Sequence, residues 1–132
     1  MQVKVLVVDD TEHVRHMLVD MLELDGFDVV GQASSGKEGI SVCTDADPDV
    51  VVMDYKMPDM DGLAAAVGIR ESRPDQAIIL YTAYLDPGLE QQAKDAGVAL
   101  CIGKVEGLTQ LERHIRELCR NLSESRQQSF GF

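Results

Sequence analysis

Five short apolar runs recur along the chain, and helical patterns or turn signals separate them. The runs are VLVV (5–8), FDVVG (27–31), VVVM (50–53), AIILY (77–81) and VALCI (98–102). Continuous β-branched and aliphatic runs are typical of strands that are buried on both faces of a sheet. Because strands and helices alternate, we predict one α/β domain in which helices cover both faces of a doubly wound, five-stranded parallel sheet.

Capping residues and glycines predict where the helices begin and end. Thr11 is a predicted N-cap, and Gly26 ends the helix that follows it. Asp86 followed by Pro87 indicates another helix start, and that helix is expected to end near Gly97. The other helices are expected from a cap at 34–35 to about 44, over 63–72, and over about 108–122. The domain is therefore assigned to residues 1–122, and the polar residues 123–132 to a C-terminal tail or linker stub.

Charge and cysteine content narrow the classes of function. The formal net charge of −11 argues against unaided binding to nucleic acid or to anionic membranes. The sequence has no run of about 18 apolar residues that could form a transmembrane helix, and its N-terminus does not resemble a signal peptide. Cys43, Cys101 and Cys119 are odd in number and widely spaced, which indicates reduced thiols. These features predict a cytoplasmic protein with a cation or a basic protein as its partner.

Polar side chains follow four of the predicted strands at their carboxyl ends. They are Asp9 and Asp10 after the first strand, Asp54 after the third, Thr82 after the fourth and Lys104 just beyond the fifth. Ligands of doubly wound sheets bind beyond these ends. Clustered carboxylates suit Mg²⁺, while an ammonium group and a hydroxyl suit phosphoryl oxygens. The arrangement predicts a Mg²⁺-assisted acyl phosphate on Asp54, which stands at the middle of the sheet.

The same residues carry a family resemblance. VLVVDD, VVMDYKMPDMDG, LYTA and a lysine after the fifth strand resemble the receiver domain of two-component response regulators, over about residues 3–122. The resemblance implies a (βα)5, flavodoxin-like fold with strand order 2-1-3-4-5. It also implies a signalling switch of a phosphorelay, in which Asp54 accepts a phosphoryl group from a sensor histidine kinase or a histidine phosphotransfer protein.

The resemblance assigns a metal-binding set and two tuning positions. Asp10 and Asp54 would hold Mg²⁺ together with the backbone carbonyl of Lys56, and Asp9 would assist, largely through water. The side chains of Lys56 and Tyr84 would tune the lifetime of the phosphoryl group, because they can admit or exclude the attacking water. A bulky Tyr84 over the site is expected to slow hydrolysis.

The switch itself departs from the family pattern at one position. By the resemblance, Lys104 contacts the phosphoryl group and Thr82 moves towards it. Family members usually carry Tyr or Phe three residues before the lysine, and this ring swings inward when the threonine moves. Cys101 stands there in this chain and cannot repeat that motion, so Tyr84 becomes a candidate for the role.

A second departure follows Lys104. Family members usually have proline at the next position, often after a cis peptide bond, whereas this chain has Val105. A cis bond without proline costs about 2.5–4 kcal/mol. We therefore predict a trans bond and a differently shaped loop at 103–107.

Two other functions remain open at this point. The first is a Mg²⁺-dependent phosphatase with an aspartate nucleophile, of the haloacid-dehalogenase type, although no DxD follows the first strand. The second is a pseudo-receiver that binds partners without phosphate. For the preferred switch, no enzymatic turnover beyond self-phosphorylation and autodephosphorylation is expected. Its further partner would be a downstream protein effector or an output domain outside this sequence, and a homodimer through the face around the fourth helix and fifth strand is a candidate assembly.

Overall fold

The computed structural model describes the backbone of residues 2–130 and the side chains of residues 2–105 and 107–122. Its five strands are Lys4–Val8 (β1), Asp28–Ala33 (β2), Val50–Asp54 (β3), Ala77–Thr82 (β4) and Leu100–Gly103 (β5). Its helices are Glu12–Leu24 (α1), Gly36–Ala46 (α2), Gly62–Ser72 (α3), Pro87–Asp95 (α4), Lys104–Gly107 (α5) and Leu111–Phe130 (α6), with a 3₁₀ turn at Leu108–Gln110. All strand pairs are parallel, in the order β2-β1-β3-β4-β5. The predicted fold is confirmed.

Each central strand contributes side chains to two hydrophobic layers. Val5, Val7, Val50 and Val52 point to a layer that α1 and α6 cover with Leu18, Leu22, Leu111 and Ile115. Leu6, Val8, Val51 and Met53 point to a second layer, which α2, α3 and α4 cover with small and aliphatic side chains. This arrangement explains the uninterrupted apolar runs, because a strand with helices on both sides has no solvent face.

Glycines with positive φ end α1 and α4, and the turns they form lead into the next strands. Gly26 has φ +90° and Gly97 has φ +86°. The Phe27 N–H donates to the Leu22 carbonyl, and the Val98 N–H donates to the Ala93 carbonyl, as in the Schellman motif. Val98 therefore belongs to the end of α4, and β5 begins at Leu100 rather than at residue 98, where the sequence placed it.

The C-terminal part differs most from the expectation. Residues 103–107 were predicted as a loop, but a helical turn begins at Lys104, directly after the extended residue Gly103. The Lys104–Val105 bond is trans, as predicted. The final helix was predicted to end near residue 122, whereas the helical backbone continues to Phe130. The role of 123–132 as a tail or linker stays a prediction.

Within the described part of the chain, none of the helices combines the length and the apolar character needed to cross a membrane.

Candidate functional site

Three carboxylates meet at the carboxyl edge of the sheet. Parallel pairing of β1 with β3 brings Asp9, Asp10 and Asp54 together, and one carboxylate oxygen from each lies within 4.8 Å of the others. Asp9 and Asp54 are buried, whereas Asp10 is exposed. Oxygen-only donor sets of this kind suit hard divalent cations such as Mg²⁺, so the chemistry of the site fits the expected metal.

The repulsion within this group is offset separately at each carboxylate. Asp10 faces solvent. Asp9 is fully buried, and its Oδ1 accepts the Thr11 N–H at 2.8 Å while its Oδ2 accepts the Tyr81 hydroxyl at 2.6 Å. Asp54 lies 3.6 Å from the Lys104 ammonium group. Each charge therefore has its own local partner or solvent contact.

Asp54 is a buried carboxylate with charged groups of both signs around it. Only 4% of its surface is exposed. Burial raises the pKa of Asp54, and so does the Asp9 charge, while Lys104 and the N–H of Lys56 act in the opposite direction. A buried carboxylate with one ammonium group beside it has the environment of a reactive group rather than of a surface acid.

A cavity of about 910 Å³ opens above these residues. Asp10, Asp54, Thr82 and Lys104 line it, together with Lys56 and Tyr84 from the loops after β3 and β4. The Thr82 hydroxyl oxygen accepts the Tyr84 N–H at 3.3 Å, so the loop after β4 is connected to the floor of the cavity. The Tyr84 side chain is 87% exposed and therefore stands at the rim.

The loop after β3, which carries Lys56, is fastened at two points. The Asp59 carboxylate accepts hydrogen bonds from the N–H groups of Gly36 and Lys37 at 3.0 and 2.9 Å. It therefore caps the start of α2, although it is distant from that helix in the sequence. The Gly62 N–H donates to the Tyr55 carbonyl. A β-carbon at Gly62 would lie 2.7 Å from the Asp54 carbonyl oxygen and 2.4 Å from Leu80 Cδ1, which leaves no space for a side chain.

Gly62→Ala is therefore expected to destabilise the domain by about 1–3 kcal/mol, because backbone atoms beside Asp54 would have to move. Urea unfolding measures the change. Gly103→Ala is the matched control, since a β-carbon there has nothing within 4 Å. Equal losses in both variants would contradict the close-approach explanation.

Two residues that departed from the family pattern lie outside the cavity lining. Cys101 is half-buried and packs against the layer covered by α2, α3 and α4, and burial raises the pKa of its thiol. Val105 is 84% exposed on α5. The part that Cys101 plays in the switch stays a prediction.

Sequence reasoning missed Tyr81. This residue was counted only as part of the apolar run 77–81, yet its hydroxyl reaches Asp9 and its ring centroid lies 5.7 Å from the Lys104 ammonium nitrogen. The sequence feature that could have indicated its role is a phenol directly before Thr82. In the pairing of β3 with β4, this residue lies opposite Asp54.

Comparisons with known proteins agree with this geometry. A family model for the response regulator receiver domain matches residues 5–116. The response regulator GacA of Pseudomonas syringae pv. syringae is 39% identical over 115 residues, which cover 86% of this chain and 54% of GacA. The response regulator protein VraR of Staphylococcus saprophyticus is 34% identical over 124 residues, which cover 93% of this chain and 59% of VraR.

A solved structure gives the same result for the fold. The crystal structure of a response regulator receiver domain protein from Clostridium thermocellum has a TM-score of 0.84 and 28% identity, covering 92% of this chain and 97% of that one. The chain spans about half the length of the curated relatives it matches. By its sheet order, its acidic pocket and the family model over residues 5–116, the chain belongs to the receiver domains of two-component response regulators.

Proposed function

We propose that this receiver domain accepts a phosphoryl group on Asp54 and thereby switches its contacts with a protein partner. The observation that carries the proposal is the placement of Asp54: buried, 3.6 Å from Lys104 and within 4.8 Å of two further carboxylates at the floor of a cavity. The donor is a phosphohistidine of a sensor histidine kinase or of a histidine phosphotransfer protein.

A divalent cation, Mg²⁺, completes the site. Asp10, Asp54 and the backbone carbonyl of Lys56 would hold it, and Asp9 would assist through water, since both Asp9 oxygens already accept protein donors. The cation supplies positive charge that neutralises the phosphoryl oxygens. Cation binding would stabilise the folded state by mass action.

The chain's own residues supply the remaining chemistry. A carboxylate oxygen of Asp54 forms the bond to phosphorus as the phosphorus–nitrogen bond breaks, and the imidazole leaves with the bonding electrons and gains a proton. Lys104 offers its charge to a phosphoryl oxygen, and the Thr82 hydroxyl donates to another.

The change would reach the surface through the loop after β4. Thr82 is joined to Tyr84 by the hydrogen bond to its hydroxyl oxygen, so a shift of Thr82 towards the phosphoryl group would shift Tyr84 at the cavity rim. Phosphorylation then selects one of two loop arrangements. Lys56 and Tyr84, at the rim, tune how fast water removes the phosphoryl group, and Cys101 has no ring with which to take part.

The wider role of the domain follows from the same proposal. The switch works in the cytoplasm without substrate turnover beyond its own phosphorylation and dephosphorylation. It acts on a downstream protein effector or on an output domain, and a homodimer is a candidate assembly. The negative charge of −11 opposes direct contact of this domain with nucleic acid.

Incubation with acetyl phosphate and Mg²⁺ tests the function. Wild type is expected to take up at most one phosphoryl group per chain, in a linkage cleaved by hydroxylamine, and none when EDTA removes the metal. Hydrolysis of a phosphate monoester such as p-nitrophenyl phosphate over many turnovers would instead indicate the phosphatase. No label at any donor concentration would indicate the phosphate-independent receiver.

A further inference from the structure

Tyr81 places a hydrogen-bond donor next to the cluster of three carboxylates. The residue is fully buried in the layer that α1 and α6 cover. Its hydroxyl donates to Asp9 Oδ2 at 2.6 Å, a length typical of an O–H donor on an ionised carboxylate. Burial and the Asp9 charge raise the pKa of Tyr81, so the phenol stays protonated and remains a donor.

Among the residues whose side chains are described, two donors reach the Asp9 carboxylate, and the Tyr81 hydroxyl is one of them. The other is the Thr11 N–H on Oδ1, which belongs to the backbone and is common to any residue but proline at that position. The Tyr81 hydroxyl, in contrast, is a donor only because the side chain at this position is tyrosine. In the absence of a cation it stabilises a buried negative charge that lies within 4.8 Å of two others.

We propose that the Tyr81 hydroxyl and the cation of this site compete to stabilise the Asp9 charge, so that Tyr81 sets a weaker Mg²⁺ affinity than the carboxylates alone would give. The inference rests on the proposed function, in which the site takes Mg²⁺. The hydrogen bond contributes most when no cation is present, because repulsion from Asp10 and Asp54 is then uncompensated. Once a cation supplies positive charge, the same bond contributes less. By linkage, a group that stabilises the cation-free state more than the bound state lowers the affinity.

Tyr81→Phe isolates the hydroxyl from the ring. The ring packs in the hydrophobic layer and lies 5.7 Å from the Lys104 ammonium nitrogen, and phenylalanine keeps both contacts. The variant therefore removes one hydrogen-bond donor to Asp9 and keeps the aromatic ring next to Lys104. Tyr81 is a positioning residue in this scheme, because it acts on the cation only through Asp9.

Isothermal calorimetry with MgCl₂ and no phosphodonor measures the effect. Since a hydrogen bond to a charged group is stronger than one between neutral groups and only part of it is lost on binding, Tyr81→Phe should bind Mg²⁺ about threefold more tightly or better. Its melting temperature should fall without Mg²⁺ and recover more than that of wild type when Mg²⁺ is added. Tyr55→Phe is the matched control, because it removes a hydroxyl from the neighbouring strand end and should leave the dissociation constant unchanged.

A Mg²⁺ dissociation constant that is unchanged or larger in Tyr81→Phe would overturn the inference but would leave the proposed function standing. Wild type that takes up no Mg²⁺ would overturn the Mg²⁺-dependent function itself. In an Asp9→Asn background the Tyr81→Phe effect should vanish, and an effect of full size there would also overturn the inference.

A second readout does not depend on folding of Tyr81→Phe. The chain has no Trp and three Tyr, so a chain with both Tyr55→Phe and Tyr84→Phe reports on Tyr81 alone. Mg²⁺ should shift its near-ultraviolet absorption as the hydrogen bond to Asp9 changes. Calorimetric binding of Mg²⁺ with no absorption change would overturn the competition.

Discussion

Asp54→Asn is expected to take up no phosphoryl group and yet to unfold at a higher temperature than wild type in magnesium-free buffer. The amide has the shape of the carboxylate but no anionic oxygen to attack phosphorus. It also removes the charge whose burial, together with Asp9, raises the pKa of Asp54 despite the opposing effects of Lys104 and the Lys56 N–H. A gain of about 1 kcal/mol corresponds to roughly 3–6 °C in a domain of this size.

The sign of the pH dependence follows from the same pKa. Because the folded-state pKa of Asp54 lies above its ordinary value of 3.8, the folded protein binds this proton more tightly than the unfolded chain does. The associated stability is fully present below the unfolded pKa and is lost as pH rises through the folded pKa. The difference between wild type and Asp54→Asn should therefore be largest near neutral pH and should narrow on acidification.

Asp59→Asn makes the same chemical change, but we expect it to lower the melting temperature. The pKa of Asp59 is lowered by the N–H groups of Lys37 and Gly36, so its charge stabilises the fold and its loss should lower the melting temperature at neutral pH. Thermal unfolding followed by circular dichroism, with and without Mg²⁺, compares the three proteins. An Asp54→Asn variant less stable than wild type would show that the Lys104 pair outweighs the repulsion.

Most of the fold could be predicted because local pattern and tertiary environment agree in the central strands. Val50–Asp54 and Ala77–Thr82 are buried along their whole length, and only a continuous apolar run satisfies that environment. Their polar end residues stand where a parallel sheet places its ligand edge. The positions of Asp54, Thr82 and Lys104 around one cavity were therefore predictable from order along the chain.

The errors lie where hydrogen bonding rather than hydrophobicity decides. Val98 is as apolar as a strand residue, but its N–H closes the end of α4. Residues Lys104–Gly107 form a helical turn in place of the expected loop, because even Gly107 adopts helical angles. The bond between Asp59 and the start of α2 spans 23 residues, and no local pattern predicts it.

Tyr81 was missed for a related reason. The apolar run 77–81 explains a buried tyrosine ring, but the hydroxyl needs a partner when it is buried. That partner, Asp9, is 72 residues away in sequence and directly follows β1, two strands from β4. The pairing of Asp54 with Tyr81 across β3 and β4 had to be known before the contact could be expected.

Lys104→Met is expected to slow labelling by acetyl phosphate about 100-fold, as the loss of a group aimed at developing charge does in enzymes. The ammonium nitrogen lies 3.6 Å from Asp54 Oδ2, and the side chain is 30% exposed, so solvent only partly screens its charge. Methionine keeps an unbranched chain over the Tyr81 ring and removes the charge alone. Lys104→Arg, which keeps a cation of different shape, should recover part of the rate.

The position of Lys104 makes the effect local. Lys104 is the first residue of α5, directly after the extended Gly103, so the helix start fixes the direction of its side chain. Lys94→Met on the exposed surface of α4 removes an equal charge from a residue that does not line the cavity and should label at the wild-type rate. Labelling rates at fixed Mg²⁺ and acetyl phosphate separate the variants. If Lys104→Met and Lys94→Met slowed labelling equally, the effect would come from net charge, and the contact between Lys104 and Asp54 would have no part in the transfer.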